Sequence, residues 1–203
     1  MSAQWIGLLS GGLVVVSAVP YCMRIYQGKI FPSLTSFSLW SFIGFALLIT
    51  YRSAGAQANV WPAVFGFTNP LIIAALIVRQ RGKLVKPNRV ELACLIIGVL
   101  ALLAWVMLHN DSSLVPYALY LAIVADGCAA VPTIVIVWLR PYEDRPFAWM
   151  LFALAYGLAL FAVPDHSIAN LVLPTYMLIG SLSIAFPLVL YRWKNNVPLR
   201  EWL

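Results

Sequence analysis

The sequence predicts an all-α, polytopic membrane protein with seven transmembrane helices. Three observations carry that expectation. The 203 residues are 63% hydrophobic and only 10% charged, with a mean hydropathy of +0.90, whereas a soluble domain carries about a quarter charged residues. The apolar residues fall in runs of membrane-spanning length separated by short polar loops. Seven spans of roughly 20 residues use about 140 residues, which leaves no room for a separate soluble domain. The basic residues gather in alternate loops, as topology signals do.

The first run, over 4–26, carries Gly7 and Gly11, a small-xxx-small spacing that favours close helix contact, and Pro20 in its later half. A short loop with Lys29 leads to the second run, over 34–51, with Trp40 and Gly44. The third, over 59–78, contains Thr68, Asn69 and Pro70. The most basic loop follows, with Arg79, Arg81, Lys83, Lys86 and Arg89. The fourth run, over 90–108, is apolar apart from Glu91 at its start and Trp105 near its end. The fifth, over 114–139, places Asp126 near its middle and Pro132 six residues on. The sixth, over 147–163, holds Trp149 and Gly157. The seventh, over 168–191, holds Pro174, Tyr176, Ser181, Ser183 and Pro187, and a basic tail follows.

Seven alternating spans put Arg24, Lys29, the five cations of the long loop, Arg140, Arg145, Arg192, Lys194 and Arg200 on one side. Arg52 stands alone on the other. The positive-inside rule then sets the N-terminus outside and the C-terminus in the cytoplasm, and a plasma (inner) membrane is favoured. MSAQW lacks the basic region of a cleavable signal, so the first run is read as a real span. The net charge of +6 is read as topology and lipid-headgroup contact, not as a nucleic-acid surface. Cys22, Cys94 and Cys128 all lie in apolar runs and read as packing residues.

The chain repeats weakly. Pro132 lies 112 residues after Pro20, and the same offset carries Pro62 onto Pro174 and Arg79 onto Tyr191. Asn59 matches Asn170 at 111 and Trp40 matches Trp149 at 109, the slips falling in loops. Two parallel three-helix repeats, 1–86 and 111–203, are therefore expected around a linker helix at 87–110, a 3+1+3 layout. The second repeat includes the cytoplasmic tail. Parallel repeats of this kind occur in transporters.

The stretch PYCMRIYQGKIFPSLTSFSLWSFIGFALL resembles the first repeat of the PQ-loop superfamily, which includes the SWEET sugar transporters, cystinosin-like carriers and the KDEL receptors. The likeness lies in a proline near the end of helix 1, a short basic loop, then Ser and Trp entering helix 2. It extends over about 10–80 and 117–195. The glutamines of the Pro-Gln signature are missing: Pro20 precedes Tyr21 and Pro132 precedes Thr133. The resemblance implies a carrier of a small polar solute working by alternating access, with a cargo or ligand receptor of the KDEL-receptor type as the alternative. It needs no cofactor and leaves an oligomer open.

Asp126 and Asn69 are expected at similar depth, each about half-way along its helix. An ionisable residue inside a membrane is costly and marks a functional site by default. There it holds a proton or pairs with a cationic solute, with Asn69 or Thr133 as its expected hydrogen-bond partner. Tyr120, Asp126, Gly127 and Thr133 form a thin polar line down the fifth helix. Ser181 is the repeat counterpart of Asn69, and Val14 that of Asp126. Trp40, Trp149, Tyr51, Phe161 and Tyr176 are the aromatic candidates for stacking on a solute. Trp5, Trp61, Trp105 and Trp193 are read as interfacial belt residues. Pro20, Pro132, Pro32 and Pro146 are the candidate hinges, the last two resembling members of the SWEET proline set. His109 with Asp111, and Asp165 with His166, define the rival class, a membrane-embedded metal hydrolase, though two histidines are fewer than such sites use.

Overall fold

The computed structural model describes residues 2–28, 34–80, 86–111 and 113–202. Lys29, Pro32, Arg81 and Lys83 lie outside them, as does the side chain of Pro132. Among the described residues seven α-helices are formed: α1 (Ala3–Tyr26), α2 (Leu34–Ser53), α3 (Trp61–Arg79), α4 (Arg89–Leu108), α5 (Val115–Leu139), α6 (Pro146–Ala159) and α7 (Ile168–Lys194). Short 3-10 turns at Ala58–Val60, Leu160–Ala162 and Leu199–Glu201 complete the regular structure, with no strand among the described residues.

Local chemistry sets the helix ends. Proline opens α3, α5 and α6 within the first two positions, where its missing N–H costs nothing. α4 starts in a capping box: the Asn88 side chain accepts from the backbone N–H groups of Val90 and Glu91, and Glu91 accepts from the Asn88 N–H. Glu91 also accepts from the Ser36 hydroxyl at 2.8 Å, which fixes the start of α4 to α2. α6 stops early because Pro164 forces the preceding residue out of the helical region, and Val163 is extended at ψ 139°.

Among the described residues six helices are long and apolar enough to cross a membrane, and the chain is an integral membrane protein. The sixth predicted span is the exception. α6 with its 3-10 turn covers only Pro146–Ala162, a rise of about 27 Å against a hydrocarbon core of about 30 Å.

α3 packs between α1 and α2, and α7 packs between α5 and α6. α1 also meets α6, and α2 meets α5, so the six helices close a circuit of neighbours. α4 lies against α5 and α2, outside that circuit, with Leu92, Ile96, Leu100, Leu103 and Met107 exposed as lipid-facing surface. The Gly7 and Gly11 spacing is used at the α1–α3 contact. A Cβ at Gly7 would fall 1.9 Å from the Ala58 carbonyl oxygen, and one at Gly11 would fall 2.9 Å from Trp61 and Phe65. Trp61 is thus partly buried against α1. The Ser10 hydroxyl donates to the Ala155 carbonyl at 2.6 Å and ties α1 to α6.

The basic tail read after Tyr191 is also corrected. α7 continues to Lys194, and Arg192 is 5% exposed. Its guanidinium donates to the carbonyls of Pro141 at 3.1 Å and Asp144 at 2.6 Å, so it clamps the α5–α6 loop instead of meeting headgroups. In the same loop the Asp144 carboxylate accepts from the Trp149 indole N–H at 3.0 Å.

Candidate functional site

Near the middle of α5, Asp126 turns toward α7 and accepts a hydrogen bond from the Tyr176 hydroxyl, Oη to Oδ2 2.8 Å. This partner replaces the expected Asn69 or Thr133. Gly127 lies beside the same hydroxyl, where an added Cβ would sit 3.6 Å from it. A second phenol completes the group. Tyr156 of α6 is 2% exposed and lies within electrostatic reach of both Asp126 and Tyr176. Its hydroxyl occupies the space left by Gly66 of α3, where a Cβ would come within 3.1 Å.

Asn69 lies one helical turn beyond Gly66. Its Nδ2 donates to the Val14 carbonyl at 2.8 Å, an oxygen that also accepts from Ser17 at 2.6 Å. Val14 and Tyr156 share one apolar cluster, against which Phe65, Phe152 and Met177 pack. The interior thus brings Asp126, Tyr176 and Tyr156 together, with Asn69 adjoining through Val14. A partly buried carboxylate acceptor, two phenols and an amide can hold a proton or bind a small polar or cationic group.

Ser181 is buried on α7, one to two turns beyond Tyr176. Trp40 packs edge-on against Phe37, which in turn contacts Tyr21 near the basic end of α1. Trp149 is held by Asp144 at that same end. Neither indole is engaged with the Asp126 group. Phe161 is 74% exposed. Pro20 sits within α1, and Pro146 is buried at the start of α6.

A second polar network closes the end of the molecule that carries Arg52. Tyr51 of α2 is 1% exposed, and its hydroxyl donates to the Asn170 carbonyl of α7 at 2.9 Å. The same hydroxyl accepts from the Asn59 amide. The Asn170 side-chain amide donates to Asp165 Oδ1 at 3.2 Å. Asp165 is held below the usual carboxylate range by these bonds and above all by Ser167. The sequence marked Asn59 and Asn170 as repeat partners but gave no sign that Tyr51 would join them. Tyr156 was missed altogether. Its one signal was a phenol set between Ala155 and Gly157 inside an apolar run.

The acid–histidine pairs of the metal reading do not converge. His109 Nδ1 is 2.8 Å from the Val106 carbonyl and its ring lies against Trp105. Asp111 accepts from the Ser113 hydroxyl and N–H. No group of three or more metal-ligating side chains forms among the described residues. No family model, no curated protein and no solved structure matches this chain.

Proposed function

We propose that this protein is a SWEET-like or PQ-loop-like membrane carrier of a small polar solute, working by alternating access and linked to protons through Asp126. The observation that carries the reading is the Asp126–Tyr176 hydrogen bond in the interior of a membrane protein. A carboxylate away from water is expensive unless it is matched by a donor, a proton or a cation. A site that exchanges those partners uses that cost as its driving element.

The order of packing supports a 3+1+3 architecture with α6 as the shortest of seven spans. The sequence α1–α3–α2 is repeated in α5–α7–α6, and the contacts between halves, α1 with α6 and α2 with α5, are exchanged by the same correspondence. α4 alone has no counterpart. Asp126 and Tyr176 belong to the second half, and Asn69 and Gly66 to the first, so rocking of the halves changes what the acid faces. The Tyr51–Asn170 bond joins the halves at the Arg52 end and must break when that end opens. In this reading Pro20, Pro132 and Pro146 are the hinges that absorb the bend.

Uptake by proteoliposomes tests the reading. An inward-acidic or outward-acidic gradient should drive accumulation of one member of a panel of sugars, amino acids and vitamins. Tight binding without flux would make the protein a receptor instead. The charge distribution puts the basic end in the cytoplasm. A cysteine introduced at Asn110, in the turn between α4 and α5, should therefore react with an impermeant maleimide added outside intact cells. Reaction only after permeabilisation would reverse the orientation.

A further inference from the structure

At the Arg52 end, two hollows meet on the membrane-facing side of α2 and α3. One, of about 390 Å³, is lined by Leu48, Ile49, Arg52, Ser53, Val60 and Val64 and is almost wholly apolar. The other, of about 740 Å³, adds Ser2, Gln4 and Gln57 and is far more polar. Both volumes fall in the range of small-molecule sites. Arg52 and Val60 belong to both, so an open hollow with polar groups on its wall adjoins an open, apolar one beside one guanidinium.

Phe45 and Phe67 meet at 5.5 Å between ring centroids further along the same pair of helices. Phe45 lies seven residues before Arg52, about 10 Å at helical rise. The Arg52 side chain is exposed but not loose: its Nη1 donates to the Ala56 carbonyl. It makes no ion pair among the described residues. A cation at the end of α2, with an open apolar hollow on one side and amide and hydroxyl groups on the other, has the polarity profile of one lipid molecule.

We infer that the α2–α3 groove is a binding site for a membrane phospholipid, its phosphate on Arg52, its headgroup among Ser2, Gln4 and Gln57, and one acyl chain along Leu48, Ile49, Val60 and Val64. The site is independent of transport through Asp126. Each residue of the lining serves a part of the lipid that water or a free anion would leave unsatisfied. A phosphate alone would use Arg52 and leave the apolar channel empty. An alkyl chain alone would leave the cation unmatched.

Native mass spectrometry of the purified protein in detergent, with palmitoyl-oleoyl phosphatidylglycerol as the probe, tests this. The tightest bound lipid should weaken about fivefold in Arg52→Gln, the worth of one cation near a membrane surface, and recover in Arg52→Lys. Val64→Trp, which fills the channel and keeps the charge, should remove that lipid as well. Leu48→Trp fills the channel from the other helix and serves if Val64→Trp fails to fold. Equal retention by the wild type, Arg52→Gln and a folded channel-filling variant overturns the inference. So does a lipid lost from Arg52→Gln but kept in full by both channel-filling variants, because that lipid would bind by its headgroup only.

Discussion

Gly7→Ala should destabilise the protein sharply, while Gly12→Ala, five residues along the same helix, should not. The added methyl at Gly7 falls 1.9 Å from the Ala58 oxygen and 2.7 Å from its carbonyl carbon. Both are backbone atoms of the 3-10 turn that opens α3, so no side-chain rotation relieves the clash. Either α1 moves away from α3 or the turn deforms. Forcing an extra carbon into a packed contact costs about 1–3 kcal/mol, and a chain of this size loses roughly 2–4 °C of Tm for each kcal/mol. At Gly12 an added methyl meets nothing within 4 Å. There alanine gains about 1 kcal/mol of helix propensity. Thermal unfolding in one detergent, read by loss of monodisperse protein, should give a Tm several degrees lower for Gly7→Ala and unchanged or higher for Gly12→Ala. Equal midpoints would mean that α1 does not touch α3 where the structure sets it.

That contrast marks what the sequence could and could not disclose. The helices were legible because membrane spans are written in hydropathy alone: the predicted starts and stops of α1, α4 and α5 differ from those formed by about one residue. The small-xxx-small pair in α1 was legible too, because glycine four residues apart has one main use in an apolar helix. α6 was read too long at its end, where the constraint of Pro164 on Val163 outweighed the continuing hydrophobicity. The interior was harder. In a soluble helix the polar face says which side is outward, but here lipid-facing and core-facing residues are both apolar. α4 carries apolar side chains nearly all round and α5 only a thin polar line through Asp126, so helix neighbours could not be read from them. Asp126 and Tyr176 could each be singled out as polar groups, yet their contact depends on α7 lying beside α5. Arg192 shows the same gap. One residue past Tyr191 it looks like a solvated tail, and only the arrival of the Pro141 and Asp144 carbonyls makes it a buried clamp.

Asp126→Asn should abolish pH-driven accumulation and spare solute exchange. The substitution keeps the shape and the acceptor oxygen that faces Tyr176, so the 2.8 Å contact can persist. What it removes is the capacity to hold or release a proton. With one proton carried per solute, a gradient of one pH unit supports at most about tenfold accumulation, the equivalent of about 1.4 kcal/mol. The asparagine variant should fall to about onefold while still equilibrating labelled solute across the vesicle. Tyr176→Phe makes the complementary deletion, leaving the carboxyl and removing its donor. A lost hydrogen bond of this kind costs about 1–3 kcal/mol, so this variant should lose stability, and its accumulation should fall without disappearing. The two sites touch, so the double variant should deviate from additivity by about 0.5–3 kcal/mol. Loss of exchange and of solute affinity together in Asp126→Asn would show that the carboxylate pairs with a cationic solute and carries no proton. Wild-type accumulation in Asp126→Asn would leave the Asp126–Tyr176 bond as a brace between α5 and α7, because a brace needs only an acceptor and asparagine supplies one.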